Sequence, residues 1–421
     1  MSHEDSPETE YVCPGQKRPI SKAVHLGRMA QFYPGCRTCR HRDDTASLSS
    51  KQVKRLRQAR PSARTPSLFD GESAGGVYPN ELTAHVAGQL AAAFGVYLRD
   101  EADPATTPPT VLLAGDGRST VAEPLAAAAE ALRWTGCNLI DIPSATAASL
   151  ACGMNQLDAD GGLLLGGAGD HREVVRMKFF GPDAIPLSAD GPLETIERIF
   201  RRGTDRPARS YGSLRRFQAD EPYLEEMSYH YHALRPLKVL LHSCSIPLRK
   251  QLHRLTEAVA PEIIDHRRTA GLFRSQVARL TEESAAHLAV MVGDDGETCQ
   301  MFDQRGEAVP DRRLLMLIAG QLLQEQPGRA VVLQESIAPE LAEPIIAAGG
   351  KTLTGGNSRL AIHQAMQRHE AILALGAGGR IWYESSNHHA ADALMTITHL
   401  LKLLSRDDRP SSEVVSRARI A

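Results

Sequence analysis

Residues 161–181 read GGLLLGGAGDHREVVRMKFFG. The apolar run 163–165 ends in Gly166, Gly167 and Gly169, with Ala168 among them. Asp170, His171 and Arg172 follow, and then a second apolar patch around Lys178, Phe179 and Phe180. A strand that stops at several glycines and then presents polar groups has the form of an active-site loop. At the centre of this one stands Ala168, whose side chain can do no chemistry.

Outward from this stretch, short apolar runs alternate with helical patterns. Strands are expected at 110–114, 138–142, 237–241, 288–292, 330–333 and 371–375. Helices are expected over 82–98, 122–133, 247–258, 312–325 and 390–404. This alternation predicts an α/β fold with mostly parallel sheets. The polar stretch 201–213 reads as a linker, and the turn near 304–312 as a second boundary. The expected organisation is a basic Cys-rich segment over 1–65, then three consecutive α/β domains over 66–208, 209–311 and 312–421.

A chain of 421 residues is too long for one typical domain. With 42% apolar and 23% charged residues it has the balance of a soluble globular protein. A net charge of −2 gives no global reason to bind nucleic acid or a membrane. No apolar run approaches the roughly 18 residues that span a bilayer. The acidic start MSHEDSPETE has no apolar core and is not read as a signal peptide, so a cytoplasmic location is expected. Seven unevenly spread cysteines then suggest a metal site plus buried thiols.

The first 65 residues carry Cys13, Cys36 and Cys39 among many Lys and Arg. Two cysteines at i and i+3 in a turn can point at one Zn²⁺; a third Cys and one His complete a tetrahedral site. The expected zinc ligands are Cys13, Cys36, Cys39 and His41, with His25 as the alternative fourth ligand. The basic run 51–65 reads as a solvated helix face and linker. No aromatic residues interleave with it to stack on bases, so a nucleic-acid-associated factor is a minority reading. His388 and His389 are adjacent, and on a helix they would point about 100° apart. They are read as a surface pair at a helix start.

The order of motifs resembles the phosphoglucomutase/phosphomannomutase (alpha-D-phosphohexomutase) superfamily over about residues 67–405. SLFDGESAGGV at 67–77 is similar to the family's opening F-G-T-S-G-x-R-G, with Glu72 and Gly75 in place of its Ser and Arg. VLLAGDGRST at 111–120 resembles V-G-R-D-T-R-x-S, with Asp116 and Arg118 kept. The stretch 161–181 matches the loop T-A-S-H-N-P-x-x-x-N-G-x-K-F, which sets Ala168 at the family's phosphoserine. The resemblance implies three such α/β domains. No R-x-S-G-T phosphate loop of the family's fourth domain follows Leu404.

Phosphoryl transfer between two sugar hydroxyls requires a hydroxyl nucleophile, a Mg²⁺ and donors around the moving phosphate. The family's metal loop D-G-D-x-D-R matches 293–298. Gly293 stands for its first Asp, Asp295 for its second, Glu297 for its third and Thr298 for its Arg. Asp295 and Glu297 are therefore a weak magnesium remnant. The sugar loop G-E-x-S-G-H matches 375–380, with Gly376 and Gly378 for its Glu and Ser and with Arg380 at its end. These concerted losses imply a catalytically inactive member with a structural or regulatory role. It would keep Arg118, Arg172, Lys178 and Arg380 as candidate phosphosugar contacts, and a protein partner or homo-oligomer is expected. The alternative is an active mutase or phosphotransferase whose nucleophile has moved to His171 or Asp170.

Overall fold

In the computed structural model, described residues are 11–13, 18–31, 33, 36, 39–46, 48–58, 67–102, 108–167, 173–204, 208–218, 220–267, 274–385 and 388–417. The N-terminal segment holds two helices, α1 (Lys22–Ala30) and α2 (Ser50–Gln58). The first α/β block runs β1 (Ala74–Val77), α3 (Ala84–Glu101), β2 (Thr110–Gly115), α4 (Ser119–Trp134), β3 (Asn138–Ile142) and α5 (Ala147–Gln156). It continues through β4 (Gly161–Gly166), β5 (Val174–Phe180), α6 (Pro192–Arg202) and β6 (Leu214–Arg216). Its sheet order is β1-β5-β4-β2-β3-β6. The central strands pair in parallel, while β5 runs antiparallel to both β1 and β4.

These elements form for local reasons. Thr83 caps α3 by accepting from the Val86 N–H, and Thr146 and Ser149 make a reciprocal capping box at α5. Leu90, Phe94 and Leu98 recur at helical spacing on α3 and are buried. Along β2 and β4, Leu113 and Leu163 enter one core cluster while Leu112 and Leu164 enter the other. The period of two with both faces buried is that of a covered parallel strand.

The second block contains α7 (Asp220–Ser228), β7 (Lys238–Ser243), α8 (Ile246–Thr256), β8 (Glu262–Arg267), α9 (Arg274–Glu283), β9 (Leu288–Val292) and β10 (Cys299–Phe302). The third contains α10 (Asp311–Glu325), β11 (Ala330–Gln334), α11 (Ala338–Ala347), β12 (Lys351–Gly355), α12 (Arg359–His369) and β13 (Leu373–Gly376). It closes with β14 (Arg380–Ser385), β15 (His388–Ala391), α13 (Ala393–Ser405) and α14 (Ser411–Ser416). Their sheets are ordered β10-β9-β7-β8 and β12-β11-β13-β14-β15. The three sheets confirm the phosphohexomutase-like α/β architecture expected from the resemblance.

Two expectations are corrected. The first sheet takes its last strand from Leu214–Arg216, beyond the boundary at 208, because β6 pairs with β3. His388 and His389 begin no helix. They lie on β15, paired with β14, and α13 starts after Asp392. The His389 ring meets the His363 ring edge-on at 5.3 Å between centroids.

The second and third blocks share one apolar core, with Leu241 and Val290 in the same cluster as Leu333, Leu375 and Leu400. Backbone contacts join the same two blocks. Ala393 N–H donates to Gly296 O at 3.0 Å, and Thr298 bridges Arg380. Gly379 has φ +70°, and a Cβ there would lie 2.1 Å from Cys299 O. Only glycine permits that close approach. Ser358 Oγ donates to Asp190 Oδ2 at 2.6 Å, tying the third block to the first. No described helix is long and apolar enough to cross a membrane.

Candidate functional site

Three loops meet where the blocks converge: the turn after β9, the start of α12 after β12, and the turn after β13. All follow the carboxyl ends of parallel strands, the usual place for a site in such sheets. Lys178 projects into this cleft from β5 and is buried. Its ammonium donates to Glu297 Oε1 at 2.7 Å and to Asp295 Oδ2 at 3.2 Å. The Arg359 guanidinium holds the other Glu297 oxygen at 2.5 Å and reaches Glu72 at 3.0 Å. Arg380 lies 3.6 Å from Glu297 and 3.7 Å from Glu72. Lys178, Arg359 and Arg380 thus face Glu72, Asp295 and Glu297, one cation for each anion, with all three blocks contributing.

Burial alone pushes the Asp295 carboxyl up. Lys178, Arg380 and Arg359 together outweigh it and bring its pKa down to about 2. The same carboxylates hold the buried Arg359 above its ordinary range against its own desolvation.

The magnesium expectation can be tested on these residues. Asp295 and Glu297 already bind an ammonium, and Glu297 also binds a guanidinium. At Gly293, a Cβ would lie 2.4 Å from Thr298 Oγ1 and 3.1 Å from Asp295 Oδ1. An aspartate there has no room unless Thr298 moves. Asp294, also buried, turns toward the first block: a Cβ on Gly167 would come within 2.5 Å of Asp294 Cβ. A hard cation needs several open oxygens in near-octahedral array. The residues present do not fit Mg²⁺. In the sugar loop, a side chain at Gly376 has no room beside Trp382, since a Cβ there would lie 2.6 Å from its ring. A cavity of about 20 Å³ beside Glu297, Arg359 and Trp382 has room for about one water.

Of the expected anion contacts, Lys178 and Arg380 come together in this cleft. Arg118 stands at its edge, with Nε on Asp116 Oδ2 at 2.6 Å; the same oxygen accepts from the Gly167 N–H at 2.9 Å. Ala168, Asp170, His171 and Arg172 lie outside the described residues. Arg359 was not foreseen. Its signal was a charged residue opening a helix directly after a strand and the turn Gly355-Gly356-Asn357-Ser358. Glu72, which stands where the family has serine, binds Arg359 and Arg380.

In the N-terminal segment, Cys13 and Cys39 are buried and Cys36 is half-buried. Arg28 Nη1 donates to Cys13 Sγ at 3.1 Å, and the His41 N–H donates to Cys39 Sγ at 3.4 Å. Burial, with Cys13 and Cys39 adding to it and Arg28 opposing, pushes the Cys36 thiol up to about 11. His25 stacks on the Tyr11 ring at 4.4 Å, and its Nε2 lies 3.1 Å from the Asp44 carbonyl. The His41 ring meets Tyr11 edge-on at 5.1 Å. Among the described residues, no three His, Cys, Asp or Glu side chains are arranged to hold a metal ion.

The fold and cleft define a multi-block α/β protein whose site is built between blocks. Residues 67–207 match the family model of phosphoglucomutase/phosphomannomutase alpha/beta/alpha domain I. A phosphomannomutase of Salmonella montevideo is 24% identical over 331 residues, which cover 73% of this chain and 69% of that protein. A phosphomannomutase/phosphoglucomutase of Pseudomonas aeruginosa is 22% identical over 365 residues, covering 83% and 76%. The crystal structure of a phosphoglucomutase/phosphomannomutase family protein from Burkholderia thailandensis shares the fold with a TM-score of 0.73. Its identity is 19%, covering 83% of this chain and 79% of that one. Parafusin, a phosphoglucomutase of Paramecium in its open form, gives 0.62 at 11% identity, covering 80% and 71%. Residues 67–207 thus match domain I of the phosphoglucomutase/phosphomannomutase family, and the chain shares the fold of the alpha-D-phosphohexomutases.

Proposed function

We propose that this chain does not interconvert hexose phosphates and serves as a structural or regulatory member of its superfamily. One observation carries the reading: the Lys178 ammonium is bonded to Asp295 and Glu297, the two carboxylates that stand at metal-ligand positions of the family's loop. A phosphate entering this cleft meets cations already matched by carboxylates, so it must displace Glu72, Asp295 or Glu297 to gain one. The second reading, an active mutase, is favoured by relatives named phosphomannomutase. It requires His171 or Asp170 to accept the phosphoryl group in place of a serine.

The deciding experiment is a coupled assay with glucose 1-phosphate and mannose 1-phosphate, with a hexose bisphosphate activator and Mg²⁺. No turnover is expected. Turnover in the usual enzymatic range of about 1–10³ s⁻¹ would overturn the proposal. Its loss in His171→Ala or Asp170→Asn would then identify the nucleophile.

We propose in addition that Cys13, Cys36 and Cys39 take one Zn²⁺, with His41 or His25 as fourth ligand. The spacing of the cysteines supports this. So does the small apolar core of the segment, in which Tyr11, Leu26 and Met29 are the buried non-cysteine apolar residues among those described. A module with so little to bury needs a staple.

A further inference from the structure

The first turn of α12 opens with the N–H groups of Arg359, Leu360 and Ala361, which find no acceptor further back in the helix. Ser358 Oγ accepts from the Ala361 N–H at 3.0 Å. The other two are met from the first block. Glu72 Oε1 accepts from the Arg359 N–H at 3.2 Å, and Ser188 Oγ accepts from the Leu360 N–H at 3.3 Å. The second Glu72 oxygen lies 3.0 Å from Arg359 Nε and 3.7 Å from Arg380 Nη1. One carboxylate thus sits at a helix N-terminus between two guanidinium groups, surroundings suited to a phosphate group.

The first block holds Glu72 ready for this contact. Asp70 Oδ1 accepts from the N–H groups of Glu72 and Ser73 at 2.8 and 2.7 Å, which folds the turn that presents Glu72. The other Asp70 oxygen lies 3.2 Å from Arg176 Nη1. The Ala189 N–H donates to Gly71 O at 2.9 Å and joins this turn to the segment carrying Ser188 and Asp190. Glu72, Ser188 and Asp190 therefore form one platform against the start of α12, with Asp190 accepting from Ser358. The charge balance points the same way. Without Glu72, Lys178, Arg359 and Arg380 would face only Asp295 and Glu297. One positive charge would then stand unmatched at a helix N-terminus, where an anion is most stable.

We propose that Glu72 is a built-in anion that latches the first block to the third and closes the site formed by Arg359, Arg380 and the α12 N-terminus to phosphate groups. It rests on the proposed reading of the cleft as matched by its own carboxylates, and it names the side chain that keeps one part of that cleft shut. The contact is autoinhibitory, because a phosphate from solution competes with a carboxylate tethered in place by the fold. Loss of the Glu72 contact also frees the Arg359 N–H, so anion binding and the docking of the two blocks are coupled.

The test is a calorimetric titration of the full chain with inorganic phosphate, for the wild type, Glu72→Ser and Glu72→Gln. Glu72→Ser should bind phosphate saturably, and the wild type at least about tenfold more weakly. Glu72→Gln should bind it too, since it loses the charge and keeps nearly the same shape. Arg380→Gln added to Glu72→Ser should weaken binding by about tenfold, the loss of one charge-assisted contact. Hydrogen exchange reads the latch itself. The Arg359 N–H should exchange faster in Glu72→Ser than in the wild type, and phosphate should slow it again. Wild-type binding as tight as that of Glu72→Ser, no binding by either Glu72 variant, or binding indifferent to Arg380→Gln would each overturn the proposal. Wild-type turnover in the coupled assay would overturn the inactive reading and the latch together. Failure of both variants to bind, without turnover, overturns the latch alone.

Discussion

Lys178 decides the character of the cleft at the scale of single residues. It was legible in the sequence as the lysine of a family loop. Its partners were not, because Asp295 and Glu297 lie more than a hundred positions away and on another block. Removing the ammonium takes the ion-pair partner from buried Asp295 and one of three cations from Glu297, which keeps Arg359 and Arg380, so Lys178→Met should destabilise the chain by about 3–5 kcal/mol. The freed carboxylates should also acquire a metal response. We expect Mg²⁺ to raise the melting temperature of Lys178→Met and to leave that of the wild type unchanged, as followed by scanning calorimetry. A wild-type transition that rises with Mg²⁺ would show an accessible metal site. The acid side has a definite sign. The Asp295 pKa is lowered to about 2 from 3.8, so its contribution is present above about pH 4 and is lost as pH falls from there toward 2.

At the scale of elements, α13 is fixed by a single carboxylate. Asp392 caps it by accepting from the Leu394 and Met395 N–H groups, and Tyr223 of α7 donates to its other oxygen at 2.6 Å. Burial is the largest influence on Asp392 and raises its pKa from 3.8 to about 6, against the opposing hydrogen bonds. The folded state therefore binds this proton more readily than the unfolded chain. The resulting stability is full below about pH 4 and declines as pH rises through 6, by up to about 3 kcal/mol. Asp392→Asn keeps an oxygen for the cap and cannot ionise. Chemical denaturation of this variant should lack that part of the decline between pH 4 and 6. An unchanged slope would assign the titration to another group. The apolar period predicts a helix from residue 390, and α13 begins three residues later at Ala393. The apolar pattern runs through Ala390 and Ala391, and sheet pairing with β14 claims those residues for a strand instead.

The whole molecule divides into a body with extensive shared cores and a small N-terminal segment with few buried apolar side chains. On the zinc proposal, freshly purified protein should carry one equivalent of Zn²⁺ by elemental analysis. Cys36→Ser should release it and make residues 1–65 protease-sensitive, while the melting transition of the body stays in place. Bound thiolates compete with protons, so zinc should leave as pH falls. Zinc-free protein prepared without chelators would refute the site. Retention of zinc by a Cys13→Ser/Cys36→Ser double variant would move it elsewhere. His41→Ala against His25→Ala then separates the two candidate fourth ligands.

The sequence by itself determined the alternation of strands and helices, the glycine-rich turns at strand ends and the order of motifs that resembles the phosphohexomutases. These are properties of local periodicity, and local periodicity is written residue by residue along the chain. It also determined which family side chains are replaced, at Ala168, Gly293, Gly376 and Gly378. Only the tertiary structure decided what stands among the replacements. Glu72, Lys178, Glu297 and Arg359 come from separate turns on three blocks, and no spacing rule links them. Their pairing follows from buried charges being stable only beside their opposites. That condition is met when folding brings the three blocks together around the cleft.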